Sequence, residues 1–175
     1  LAPTGDKDPY ALRRHALGIC RLLLEKNLSL SLVELIELAL AQFPQKEVQA
    51  QTKVADIYEF IIDRMQAYLR DQSVAGKPFT SAEIDAVLSQ SPNYINDLID
   101  RLSALREFNA LPQAVQLAAA NKRISNILKK TTTAIPAQST KQLLQIPAEQ
   151  ALYEALGELT PALTASYEKR EFVSS

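Results

Sequence analysis

Apolar residues along this chain recur at intervals of three and four, and no stretch longer than a few residues alternates apolar with polar. The first spacing lines up side chains on one face of an α-helix, and the second would line them up on a strand. Prolines punctuate the pattern. Pro44, Pro78, Pro92, Pro112 and Pro147 each stand where an apolar run ends or begins, positions at which a missing backbone N–H is tolerated. Only four of the 175 residues are glycine, and 47% are hydrophobic, enough for a real core. The expected fold class is all-α, a multi-helix bundle of antiparallel helices joined by short connections.

Taken in order, Asp8 and Pro9 open the first helix, since Asp caps free N–H groups and Pro suits a first turn. From Tyr10 to about Lys26 two stripes run side by side: Leu12, Ala16, Ile19 and Leu23, then Leu17, Cys20 and Leu24. Only a narrow polar arc remains, so this helix is expected to pack on most of its circumference. Arg13 and Arg14 read as interhelix salt-bridge partners, with contact to an anion as the alternative. Ser31 and Glu34 have capping-box spacing ahead of an apolar helix over Leu32 to Phe43. The polar stretch from Pro44 to Gln51 suggests a domain boundary between about Gln45 and Lys53.

Val54 to Gln72 then forms a long helical pattern with Ile57, Phe60, Ile61, Tyr68 and Leu69 inward. Arg64 projects into the same stripe and demands a carboxylate or a helix-end carbonyl, RNA contact being the other reading. After the break at Gly76-Lys77-Pro78, Thr80 with Glu83 reads as a capping box and Phe79 with Ile84 as a hydrophobic staple. Ser91-Pro92 starts the next helix, with Ile95, Leu98, Ile99, Leu102 and Leu105 toward the core. Residues 131 to 147 are Thr-rich and read as a loop. Pro147 to Leu159 returns to helix with Leu152, Leu156 and Leu159 inward, kinked or restarted at Thr160-Pro161. Ser166 to Ser175 is too polar to stand without something to pack on. Beginning at Leu1 and ending at Val173-Ser174-Ser175, the sequence reads as a piece excised from a longer polypeptide.

The net charge of -1 conceals an asymmetry. Residues 1 to 100 hold ten Lys or Arg against fourteen Asp or Glu, and residues 142 to 175 hold two against five. Between them Arg101, Arg106, Lys122, Arg123, Lys129, Lys130 and Lys141 face Glu107 alone. A positive block in an otherwise acidic chain suggests a local anion-binding surface, with phosphates the usual target. Leu117 to Lys130 concentrates it. Leu117, Ile124 and Leu128, widened by Ala120 and Ile127, form an apolar stripe, and Lys122, Arg123, Asn126, Lys129 and Lys130 occupy the opposite arc. One buried and one cationic face are expected, with Asn121 caught inside the apolar stripe and needing a polar contact.

Catalytic chemistry is hard to build from these residues. His15 is the only histidine and Cys20 the only cysteine, so neither a Cys/His metal cluster nor a His-based nucleophilic relay is available. The glycines at 5, 18, 76 and 157 are isolated, so there is no Gly-rich phosphate loop. Asp97 and Asp100 read as ordinary solvated acids. No catalytic residue, no metal site and no cofactor are expected in this piece. A single cysteine fits a reducing cytosol, and no apolar run is long enough to span a bilayer, so a cytoplasmic location without a membrane partner is expected.

Two stretches resemble one family, the beta subunit of the bacterial heterotetrameric glycyl-tRNA synthetase. The first is Asp8-Pro9-Tyr10-Ala11-Leu12-Arg13-Arg14, continuing through Ala16-Leu17-Gly18-Ile19. The second is Leu117 to Lys130, centred on Ala118-Ala119-Ala120-Asn121-Lys122-Arg123 and Asn126-Ile127-Leu128. Between them Tyr58-Glu59-Phe60-Ile61-Ile62-Asp63-Arg64, Ile84-Asp85-Ala86-Val87-Leu88 and Leu105-Arg106-Glu107-Phe108 occur in the family's order. The resemblance covers about residues 5 to 130 and is loose over 131 to 165.

The resemblance implies a C-terminal piece of such a subunit. Residues 1–50 would be the last helices of an HD-type helical domain whose metal-binding histidines lie elsewhere. Residues 52–175 would be a helical, DALR-type anticodon-binding domain truncated at its C-terminus, of the type shared with arginyl-tRNA synthetase. In such enzymes the alpha subunit of an alpha2beta2 tetramer carries the class II site and uses ATP and Mg to charge tRNA(Gly) with glycine, and the beta subunit binds the tRNA. Anticodon bases are single-stranded, so amides and guanidinium groups can read their edges while Lys and Arg hold the backbone. The expected tRNA-binding residues are Lys122, Arg123, Asn126, Lys129 and Lys130, with Arg101 and Arg106 as an extension and Tyr94 as a stacking or core ring. DNA is not an expected partner. The rival reading is a non-catalytic helical protein-interaction scaffold whose basic block is merely solvated.

Overall fold

The structure, a computed structural model, describes residues 8, 10–43, 50–132, 134, 139–169 and 172. Pro9, Pro136, most of the polar stretch at 44–49 and the terminal Val173-Ser174-Ser175 therefore lie outside the described residues. Among the described residues the chain forms seven α-helices and a minute hairpin, and the fold is all-α. None of those helices is long and apolar enough to cross a membrane.

Helix α1 spans Leu12–Glu25, two residues later than the spacing suggests, because Ala11 adopts a left-handed conformation with φ 53°. Asp8 still caps it from a distance: its carboxylate accepts from the N–H groups of Leu12 at 2.8 Å and Arg13 at 3.1 Å. Burial is narrower than expected. Ala16, Cys20 and Leu23 face the core, whereas Ile19 and Leu22 stay in solvent and His15 is exposed. The Cys20 thiol donates to the Ile61 carbonyl at 3.5 Å, and burial pushes it up to about 11.

Helix α2 covers Leu32–Leu40, with the Ser31 hydroxyl accepting from Glu34 N–H at 3.1 Å. A long-range partner completes this N-terminus. Asn93 accepts from Val33 N–H at 3.0 Å through its side-chain oxygen, donates from its side-chain nitrogen to the Ser31 hydroxyl at 2.9 Å, and accepts from Leu32 N–H at its backbone carbonyl. Three free donors of the first turn are thereby satisfied by Ser31 and Asn93.

Helix α3, Ala50–Arg70, is the element on which α1, α2 and the helix after the following hairpin pack. Ile61, Met65 and Leu69 are its innermost side chains, with Ile57, Phe60 and Tyr68 half-buried. It passes into strands β1 (Ser73–Val74) and β2 (Lys77–Pro78), an antiparallel pair turned by Ala75 and Gly76, both at positive φ. That is the geometry of a two-residue type I′ hairpin.

Helix α4, Ser81–Leu88, starts on the expected capping box, with Glu83 N–H donating to the Thr80 hydroxyl and Thr80 N–H to the Glu83 carboxylate at 2.7 Å. Phe79 and Ile84 are both buried in the same core, as a staple requires. Helix α5 covers Leu98–Ala110 and buries Leu98 and Leu102, and Ile95 enters the core from the turn before it. Each such side chain, fully shut off from water, contributes about 1.5–3 kcal/mol of transfer free energy.

The chain divides into two compact units, Leu1–Arg106 and Glu107–Ser175. The boundary expected near 45–53 thus joins helices that share a core, since α1 and α2 both pack on α3. In the second unit, helix α6 spans Pro112–Lys130, a 3-10 turn covers Lys141–Leu143, and helix α7 spans Pro147–Glu168. Helix α7 runs on through Pro161, and the Thr160 hydroxyl donates back to the Leu156 carbonyl. Tyr167 and Phe172 meet edge to face, with centroids 6.1 Å apart.

The buried faces expected of α6 and α7 are not found. Leu117, Ile124, Ile127 and Leu128 are between 47% and 59% exposed, and Leu152, Leu156, Leu159 and Leu163 between 54% and 63%. Periodicity specifies a face, but a face is buried only where another element covers it. Asn121 is accordingly exposed, so water reaches the amide that a covered stripe would have left in need of a partner.

Candidate functional site

Helix α6 begins with Pro112 in its first turn, where a missing N–H costs nothing. Lys129 and Lys130 lie in its last turn, near the negative end of the helix dipole. Residues 119, 122, 123, 126, 127 and 130 then fall on one side at intervals of three and four. Accordingly Lys122, Arg123, Asn126 and Lys130, with Ala119 and Ile127 between them, line an open concavity of about 360 Å³. Lys129 is exposed one step beyond its edge, on the same arc as Lys122.

The other cations of the basic block have different employment. Arg101 donates through Nε and Nη2 to the two carboxylate oxygens of Asp97, at 2.9 and 3.0 Å. Asp97 is buried, contrary to the solvated role expected of it, because this neighbour one turn on compensates its charge. Arg106 is more heavily committed. It donates to both Glu83 oxygens at 2.9 and 3.0 Å and to the carbonyls of Lys77 and Pro78 at 3.1 and 2.9 Å. Its guanidinium also lies 4.6 Å from the centroid of the Phe79 ring. The Arg106 guanidinium, with the Thr80 bonds, holds the Glu83 carboxyl down at about 2. Lys141 pairs with Glu154 at 2.8 Å.

Of the seven cations between residues 101 and 141, three are thus held in ion pairs, and the four on α6 make none among the described residues. Tyr94 is half-buried in the first unit and bridges backbone to backbone with Ser31. Sequence reasoning missed Asn93, whose partners lie about sixty residues away. Among the described residues no group of three or more His, Cys, Asp or Glu is arranged to hold a metal ion.

The class so defined is an all-α protein in which helix α6 presents a cationic face that forms no ion pair among the described residues. The family model described as glycyl-tRNA synthetase beta subunit matches residues 1–89. The glycine–tRNA ligase beta subunit of Ralstonia nicotianae is 45% identical over 175 residues, covering 100% of this chain and 24% of that protein. Those of Methylobacillus flagellatus and Dechloromonas aromatica are 44% and 43% identical over 173 residues, each covering 99% of this chain and 24% of the relative. The chain belongs to the glycyl-tRNA synthetase beta subunit family, and it spans about a quarter of the length of the curated relatives it matches.

Proposed function

We propose that this chain is a tRNA-binding part of a cytoplasmic glycine–tRNA ligase beta subunit, and that the cationic face of α6 engages the anticodon loop of tRNA(Gly). Lys122, Arg123, Lys129 and Lys130 hold backbone phosphates, while Asn126, an amide set among them, offers a donor and an acceptor to a base edge. The chain supplies binding and orientation. The glycylation itself, with its ATP and Mg, falls to a class II site on the alpha subunit of an alpha2beta2 tetramer, toward which the bound tRNA directs its acceptor end.

One observation carries this reading: in a block of seven cations, the four that form no ion pair among the described residues all stand on one helix, and three of them line one concavity with Asn126. Arg101 and Arg106 are left out of the proposed interface, because internal acceptors already occupy their donors.

The test is the salt dependence of tRNA binding by the chain and by a Lys122→Ala, Arg123→Ala, Lys130→Ala variant. Each lost contact to single-stranded RNA removes about 0.7 from the slope of log affinity against log salt, so a flattening of about 2 is expected. An unchanged slope would exclude this surface. A second reading, a helical protein-interaction scaffold, is favoured by the exposed Leu and Ile stripes of α6 and α7. It requires binding that ignores salt and shows no preference for tRNA.

A further inference from the structure

A second gathering of cations lies in the first unit and has no part in the α6 face. Arg13 and Arg14 of α1 and Arg64 of α3 line one open groove of about 250 Å³, together with Leu17, Ala67, Tyr68 and Asp71. The two helices pack directly on one another, so their arginines are brought together by the core itself. Position 64 stands three residues after the buried Ile61, on the same face of α3, and Arg64 is half-buried. Its guanidinium carbon lies 5.7 Å from the centroid of the Phe60 ring. The Nε atom of Arg64 is shut off from water and has no hydrogen-bond partner.

Such an arrangement opposes folding unless an anion answers it. Desolvating a guanidinium N–H without an acceptor costs stability, and like charges gathered on a partly apolar wall repel. Among the described residues neither Arg14 nor Arg64 forms an ion pair. The nearby Glu25 is already engaged by Arg21 Nε at 2.7 Å and by the Tyr68 hydroxyl at 2.9 Å. Asp71 alone in the lining is acidic, against three arginines. The cations here are all Arg, whereas those of α6 are mostly Lys. Planar forks match paired phosphate oxygens in a way that a point charge does not.

We propose that this groove is a phosphate-binding site in which the guanidinium forks of Arg14 and Arg64 hold one phosphate of an RNA backbone, with Arg13 beside them. The choice of RNA as the source rests on the tRNA-binding reading above, and the phosphate chemistry rests on the groove.

The experiment titrates the chain with tRNA(Gly) across a salt series, comparing it with Arg14→Gln, with Arg14→Gln/Arg64→Gln, and with the triple α6 variant. Losing the one phosphate that Arg14 and Arg64 share should flatten the slope by about 0.7–0.9 and weaken binding about five- to eightfold near 0.1 M salt. If the α6 variant flattens the slope and the groove variants do not, the groove is overturned and the tRNA reading stands. If the double variant loses its helical circular dichroism, Arg14→Gln decides alone, since Arg14 is exposed, with an expected flattening of up to about 0.7, and an unchanged slope overturns the groove. If no tRNA binds, the tRNA reading fails and inorganic phosphate becomes the probe, followed by the side-chain Nε–H resonance of Arg64. A saturable shift that Arg14→Gln abolishes supports a site for phosphate from another source; an unmoved resonance overturns the site.

Discussion

At the scale of single residues, the clearest lesson is how differently seven nearby cations are used. Arg106 is a structural clamp: its fork ties α5 to Glu83 and to two carbonyls of the hairpin while its face covers Phe79. Because this pairing holds the Glu83 carboxyl near 2, below the roughly 4.3 of an unfolded chain, its contribution is complete above about pH 5 and fades as pH falls toward 2. Glu83→Gln should therefore cost about 1–2 kcal/mol at pH 7, discounted for a site at the surface edge, and about half as much at pH 3. Urea denaturation at both pH values checks this, and a difference that does not change with pH would refute it. A count of charges could not have assigned Arg106, whose acid partner is 23 residues away. Asp97 is another matter. Its partner Arg101 is four residues on, at ordinary helix-pair spacing, so its pairing was legible in the sequence though its burial was not.

Among the elements, those specified by their own residues follow the sequence closely. The Thr80–Glu83 capping box is decided within three residues and forms as the spacing requires, whereas at Ser31 the hydroxyl half forms, accepting from Glu34 N–H, and Asn93 completes the turn. The start of α1 departs by two residues because the left-handed Ala11 intervenes, a backbone choice that no side-chain pattern announces. Asn93 and Met65 act through tertiary neighbours and carry no local mark. Gly18 offers an element-scale prediction. It stands inside α1, exposed, and a β-carbon there meets nothing within 4 Å. Gly18→Ala should stabilise the first unit by about 0.5–1 kcal/mol through reduced backbone entropy, raising Tm by a few degrees. A fall in Tm would mean that α1 needs the glycine for something other than helix.

For the whole molecule, the two units contrast in what covers them. The first encloses a continuous core drawn from α1 through α5, whereas in the second Ala114 is the buried apolar side chain among the described residues. That contrast explains why helix existence was legible throughout but burial only in the first unit: a stripe of Leu and Ile encodes a face, and the sequence of that stripe does not encode its cover. It also leaves α6 with a charged arc and an apolar arc both open, one suited to RNA and the other to protein. The most direct discrimination is to measure binding of this chain to glycine tRNA and to a copy with an altered anticodon, each near 50 mM and 200 mM salt. Recognition by α6 predicts tighter binding to the glycine anticodon and a steep loss with salt for both RNAs. Weak and equal binding to the two, indifferent to salt, would contradict it.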